Sequence, residues 1–511
     1  MSGGRLSEGP IDEIRTLIYA PAIAGACDAD FVDMCALNQA HLVMLSDTGI
    51  LPPDMVRSLT TALRRVATEG RAALPNDPDL EDPYLAFEAR LAAVAGADLA
   101  GRIHIARSRN DIGATLHRMQ ARRHWLAITA ALDEARAVLL DKAEAHLDTV
   151  MPGHTHLQPA QPITFGYQML SLATALERDA ARLNDAYARI DACSLGAAAM
   201  GGTSFPIDRN LTAKLLGFSR VATSCLDAVA SRDYAMELLF AATSLSITWS
   251  RAVQDFYVAF TDEFGAIALP DRIAGTSSIM PQKKNPIALE YLRTEAARTI
   301  GALTTALAAA RGTNFSISLD AIREGLDDLW SALSRVPGDL ALFARIVESA
   351  SPNADLLERR CNANFSTATD LADGLVRGAG LPFRQAHHVV GAVVRAALSQ
   401  GLGANAVDAA FIEAIAEPIL GHKLGLDDGF VRACLDPRLA VMARRTQGGT
   451  APSEVERMVA QARSVLLRDV AARRARTAQL DDAAEALAVR LQQLAALPSA
   501  AAAPLYRAAR P

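Results

Sequence analysis

The feature that most constrains the fold is the run Met169, Ala173, Leu176, Ala180, Leu183, Tyr187 and Ile190, whose apolar positions alternate by four and three. That spacing draws a single apolar seam along a helix and requires another helix to cover it. At 1.5 Å per residue the seam is about 33 Å long. Comparable helical patterns run from the segment 107–111 to about 148, from 228 to 264 and from 286 to 311, the last with Asn285 as N-cap and Pro286 at its first position. Hydrophobic residues make up 50% of the 511 and aromatic residues only 5%, a mix that favours closely packed helices over sandwiches or barrels. The reading is therefore all-α, with a long central antiparallel bundle. Alanine-rich faces of this length bury poorly on one four-helix core, so the bundle is expected to be shared between subunits.

Turn chemistry divides the rest. Gly49, Pro52-Pro53 and Pro75 to Asp79 interrupt an N-terminal helical domain, 1–106, which precedes the central bundle, 107–350. A C-terminal helical domain, 351–480, follows, with loops at Gly378 to Pro382 and Gln447 to Thr450. An alanine-rich tail, 481–511, is expected to begin helical, to fray, and to close on Pro-Leu-Tyr-Arg-Ala-Ala-Arg-Pro.

Charge and cysteine usage narrow the function. The net charge of -6 is mild and no basic run occurs, so neither nucleic acid nor a membrane surface is an expected partner. Six scattered cysteines lack CxxC spacing and read as thiols of a reducing compartment. With no signal-peptide layout at the N-terminus and no window of eighteen apolar residues, a soluble, cytoplasmic protein is expected.

Three polar loops stand where helices begin or end. Ser108-Arg109-Asn110 offers a hydroxyl, a guanidinium fork and an amide at a helix N-terminus, the groups that hold a carboxylate, although alone it also reads as a cap with a surface arginine. Gly153 to Pro162 carries His154, Thr155, His156 and Gln158. Its two histidines lack a third ligand at metal-binding spacing, so no metal is expected; a histidine here reads as an acid or orienting group, or else as a satisfied structural histidine. The third loop, Gly275 to Pro286, sets paired serines ahead of Lys283, Lys284 and Asn285. A serine becomes a base when amides and cations stabilise its alkoxide. Lysine and asparagine neutralise a carboxylate that receives charge as its neighbouring carbon loses a proton. Together these groups fit α,β-elimination from a dicarboxylic acid. No GxGxxG, GxxxxGK[ST] or GxSxG motif accompanies them.

In this order the segments resemble the fumarase and aspartase superfamily, and most closely its argininosuccinate lyase branch. The resemblance spans roughly residues 10 to 470 and rests on Ser-Arg-Asn-Asp (108–111), Thr-His-Leu-Gln with Ala-Gln-Pro (155–162), Ser-Ser-Ile-Met-Pro-Gln-Lys-Lys-Asn-Pro (277–286), Pro-Phe-Arg-Gln-Ala-His (382–387) and Gly-Gly-Thr-Ala (448–451). Chance explains one such match, not five in order. It implies a three-domain, nearly all-helical subunit, a homotetramer with a shared helical core, and active sites each built from three subunits. It also implies Ser277 as base, Lys283 and Asn285 as the groups that stabilise an aci-carboxylate intermediate, and His156 as the proton donor to the leaving amine, with Glu290 its carboxylate partner and Thr155 beside it. Ser108, Arg109 and Asn110, with Gln158, match the residues that cradle the substrate. The implied reaction gives fumarate and an amine, with no metal or organic cofactor.

Several positions depart from that branch. Thr276 replaces a glycine, His154 a tyrosine, Ala106 a glycine, and Glu81-Asp82-Pro83-Tyr84 stands for an acidic motif ending in histidine. In 314–324 the branch's tyrosine, glutamine and lysine become Phe315, Asp320 and Arg323, the last still able to bind a carboxylate. The expected substrate is thus an N-substituted L-aspartate, such as an aminopolycarboxylic acid like ethylenediamine disuccinate. Argininosuccinate itself is the alternative, with a silent structural homologue and the adenylosuccinate lyase reaction as remoter ones.

Overall fold

A computed structural model describes residues 8–497. Five long helices form its body: α1 (Arg109–Ala145), α2 (Phe165–Ile190), α3 (Asp233–Phe260), α4 (Ile287–Arg311) and α5 (Asp327–Ser349). Among the described residues the fold is all-α apart from three two-stranded pairings. Every position of the α2 seam, Met169 through Ile190, is buried. The seam packs with Trp125, Leu132 and Leu139 of α1, Leu245 and Trp249 of α3, Leu292 of α4, and Leu333, Leu340 and Phe343 of α5. The Trp125 indole donates to the Leu183 carbonyl at 2.7 Å, so the ring's polar atom is satisfied inside the core.

Several charged groups inside the bundle are paired or hydrogen-bonded. Asp179 of α2 accepts from Thr248 (2.7 Å) and Ser244 (3.0 Å) of α3. Glu295 of α4 lies between Arg298 (2.5 Å) and Arg335 of α5 (2.9 Å). Asp339 of α5 is less completely matched. Burial, aided by the nearby Glu295 charge, pushes its carboxyl up to about 6, and its Oδ2 lacks a hydrogen-bond partner. A carboxyl raised above its unfolded value stabilises fully below about pH 4, and that contribution is lost as pH rises through 6. Asp339→Asn is therefore expected to stabilise the subunit at pH 8 by about 1 kcal/mol and to flatten the decline between pH 4 and 6, as read from urea midpoints at several pH values.

The other helices cap the bundle's ends. Around Leu42, Val56, Phe87 and Ile103 the N-terminal residues form a second core, and Leu375, Val389, Ile412 and Val431 centre a third within 365–435. A final helix, α6 (Pro452–Ala495), joins two of these cores. Val455, Val459, Ala462 and Leu466 pack on the bundle, while Leu487, Leu491 and Leu494 enter the N-terminal core. The boundary expected at 480 thus falls inside one continuous helix, and the closing segment 504–511 lies outside the described residues. No described helix is long and apolar enough to cross a membrane.

Two local readings differ. Asn285 does not cap α4; Pro286 does, because Asn285 pairs with Gly275 in a short ladder and its side-chain amide donates to the Thr276 carbonyl at 3.3 Å. Residues 150–164 form a β-hairpin rather than an irregular loop, β1 (Val150–Thr155) against β2 (Gln158–Thr164).

Ala106, which stands where the related branch has glycine, adopts φ +64°. A methyl side chain is disfavoured in that left-handed region. The turn persists because its neighbours fix it: Arg107 donates to Ile103 O (2.6 Å) and Asn38 Oδ1 (3.0 Å), and His41 Nε2 bonds the Ile105 carbonyl at 2.9 Å. Ala106→Gly is expected to stabilise the fold by about 1 kcal/mol, seen as a higher urea midpoint.

Candidate active site

The first candidate segment opens α1. Ser108 is the N-cap: its Oγ accepts from the Asn110 amide at 3.3 Å, and its own amide donates to Asp111 Oδ1 at 2.9 Å. This reciprocal pair consumes the helix's first donors and fixes the chain's entry angle. Asp111, fully buried, also accepts from the amides of Gly196 (2.8 Å) and Ala198 (3.0 Å), tying a distant loop to the helix start. Burial raises its pKa against the pull of those donors. Asn110 Nδ2 donates to Ala199 O at 2.9 Å, and Arg109 Nη1 to both Glu81 Oε2 (2.8 Å) and Asp82 Oδ2 (2.9 Å). Both Arg109 bonds use one terminal nitrogen. The Glu81-Asp82 pair stands out in the sequence, but its bond to Arg109 does not, since twenty-seven residues separate Asp82 from Arg109.

The second segment is the tip of the hairpin. His156 and Leu157 adopt φ +54° and +58°, so both central residues of a two-residue turn are left-handed. Such turns ordinarily carry asparagine or glycine. Strain of this kind persists where the surroundings enforce it, and here the ladder pairs Thr155 with Gln158 directly beneath the turn. Thr155, His156, Leu157 and Gln158 are all exposed.

In the third segment, β3 (Gly275–Thr276) pairs with β4 (Lys284–Asn285), closing a loop over 277–283. Ser277 Oγ accepts from the backbone amides of Met280 (3.1 Å) and Ile279 (3.4 Å). Two amides aimed at one hydroxyl oxygen stabilise negative charge on it. Lys284 is anchored, bonding the Leu269 carbonyl and Asp271 Oδ1 (3.0 Å), whereas Lys283 is exposed. Glu290, in the first turn of α4, accepts from the Tyr257 hydroxyl at 3.2 Å. Among the described residues no hydrogen bond joins Glu290 to His156.

These groups lie at opposite ends of the bundle. The 37 residues of α1 run from Arg109 to the doorstep of the hairpin, about 55 Å. At the hairpin end, Lys142 donates to the Glu348 carbonyl (2.9 Å), and Ile267–Ala268, leading into the serine loop, pairs with Ser351–Pro352. Thr155, His156, Gln158, Ser277, Lys283, Asn285 and Glu290 therefore share one end. Arg323 belongs to the other, because the ring of Trp330, seven residues on, lies 5.6 Å from that of His117 and 5.9 Å from that of His124, both in the first half of α1. There Arg323 Nε donates to Glu324 at 2.9 Å. Ser108, Arg109, Asn110 and Arg323 are thus separated from the other seven within one subunit. Among the described residues no cluster of side chains could hold a metal ion.

Comparison with known proteins agrees with the branch that the motifs suggest. Residues 34–301 match the family described as Lyase, and 365–442 that described as Argininosuccinate lyase C-terminal. Argininosuccinate lyase 1 of Shouchella clausii is 36% identical over 466 residues, covering 91% of this chain and 94% of the relative. Argininosuccinate lyase of Methanoculleus marisnigri is 39% identical, covering 90% and 92%. A solved EDDS lyase variant with bound fumarate superposes with a TM-score of 0.86 at 31% identity, covering 96% of this chain and 97% of that one. The chain belongs to the argininosuccinate lyase branch of the fumarase/aspartase superfamily and is a carbon–nitrogen lyase.

Proposed function

We propose that the enzyme catalyses reversible anti β-elimination of an N-substituted L-aspartate to fumarate and an amine, with Ser277 as the base. The observation that carries this reading is the pair of amides, Ile279 and Met280, directed at Ser277 Oγ. Ser277 takes the Cβ proton, and the charge passes into the adjacent carboxylate as an aci-carboxylate dianion. Lys283 and Asn285 neutralise that dianion. The Cα–N bond then breaks as His156 protonates the amine, with Glu290 orienting the ring and Thr155 beside it. Ser108, Arg109, Asn110 and Gln158 hold the carboxylates, and Arg323 meets the far part of the substrate.

The active site is shared by three subunits of a homotetramer in this reading. A substrate of about 10 Å cannot bridge groups set about 55 Å apart along α1. Antiparallel packing of two-fold-related copies brings one end of a bundle against the other end of its neighbour. The bundle carries surface suited to such packing: Phe240 and Ile247 on α3, and Ile300 and Leu307 on α4, are exposed apolar pairs seven residues apart.

The substrate class follows from 314–324, where Phe315, Asp320 and Arg323 replace the branch's tyrosine, glutamine and lysine. This favours aspartates with other N-substituents, aminopolycarboxylates such as ethylenediamine disuccinate included. Argininosuccinate is the second reading, favoured by the activity named for the two sequence relatives. Purified enzyme incubated with a panel of N-substituted L-aspartates, argininosuccinate among them, is expected to release fumarate from several, followed by absorbance. Rapid turnover of argininosuccinate alone would contradict the broader substrate class.

A further inference from the structure

Where α6 runs past the bundle and over the N-terminal core, a cavity of 580 Å³ lies between them. Phe31 and Cys35 of the helix Asp28–Asp47 line it together with Met119 of α1, and Leu480, Leu487 and Leu491 of α6 face them. The helix is held in place there. Gln479 Nε2 donates to the Gly217 carbonyl at 3.2 Å, Arg490 pairs with Asp47, and Arg57 Nη1 donates to the Leu497 carbonyl at 3.2 Å. A cavity of this size and largely apolar lining suits a small organic molecule.

One buried charge gives the cavity a sign. Arg122 of α1 lines it and is 6% exposed. Among the described residues its side chain makes one hydrogen bond, from Nη1 to the Leu216 carbonyl at 3.0 Å, and it lies 4.7 Å from the centre of the Phe218 ring. Asp191, whose charge favours the guanidinium, is bonded instead to the Ser219 amide at 3.0 Å. A guanidinium out of water without a bonded carboxylate is costly, and it has donors to spare. Arg64, exposed, adds a second cation to the lining, while the lining acid Asp33 is paired with Arg123. The uncompensated charge is therefore positive.

We propose that this cavity binds an amphipathic carboxylate, a medium-chain alkyl acid whose head meets the Arg122 guanidinium and whose chain lies against Phe31, Leu487 and Leu491. A carboxylate takes two parallel N–H bonds from such a fork, and the chain gains by leaving water. The site is separate from the elimination residues: Arg122 stands thirteen residues along α1 from Arg109, about 20 Å.

The test is titration calorimetry of the full-length enzyme with octanoate, octan-1-ol and acetate, repeated on Arg122→Gln and Ala484→Trp. Ala484 lines the cavity from an exposed position on α6, so an indole there takes up the space without entering a core, and circular dichroism checks both folds. Octanoate is expected to saturate at one molecule per subunit, with octanol and acetate at least about tenfold weaker. Arg122→Gln should weaken octanoate by about tenfold or more, and Ala484→Trp should abolish its binding. If Arg122→Gln does not fold, Ala484→Trp and the octanol comparison decide. Absence of saturable octanoate binding, octanol binding as tightly as octanoate, or unchanged octanoate affinity in either folded variant would overturn the proposal.

Discussion

Ser277→Ala is expected to lower kcat for fumarate release by about 10³-fold or more, with helical content and oligomer size unchanged. The expectation is specific to this serine. Ser277 Oγ receives two backbone amides, whereas Ser278 beside it is exposed and receives none, so Ser278→Ala should cost less than about tenfold. The side chain reaches no core residue, so its loss removes chemistry rather than structure. Steady-state rates from fumarate absorbance, with light scattering for size, make the check. Activity of Ser277→Ala within tenfold of the parent would place the base elsewhere.

The second large effect concerns the opposite end of the bundle. Arg109→Ala is expected to reduce kcat/KM by about 10²-fold, since losing one partner of a charge-assisted carboxylate contact costs about 3 kcal/mol, and each 1.4 kcal/mol is tenfold. Asp82 adds to the expected loss: with the guanidinium gone, its carboxylate would stand beside the proposed binding position of a dianionic substrate. Arg109→Lys should recover little, because a point charge replaces a planar fork. Kinetics of the two variants with one N-substituted aspartate decide this. Full recovery by lysine would mean that charge alone, not the fork, is used.

The bundle was legible in the sequence because the Met169 to Ile190 seam repeats at helical spacing for about six turns, and all its positions are buried. The start of α1 was legible only as a cap somewhere within 108–111; that Ser108 takes the cap and Asp111 reciprocates is seen in the structure. The hairpin was not. Its turn uses His156 and Leu157 at positive φ, where the residues that usually signal such a turn are absent. The cap of α4 was misplaced by one residue because Asn285, a good capping type, is drawn into a ladder with Gly275. Arg109's partners escaped notice because an ion pair between separate elements leaves no periodic trace. The candidate residues themselves were found by motif, yet their distribution to two ends follows from helix length, which motif spacing does not convey.

That distribution makes a mixing experiment decisive. Ser277 and Arg109 lie at opposite ends of a helix of about 55 Å, so the proposed site would draw Ser277 from one subunit and Arg109 from another. Equal amounts of Ser277→Ala and Arg109→Ala subunits, each nearly inactive, are co-expressed and purified as hybrids. Random assortment leaves about one site in four with both residues intact, so fumarate release should recover to about a quarter of the parent rate. Hybrids no more active than the average of the two variants would contradict a site shared between subunits.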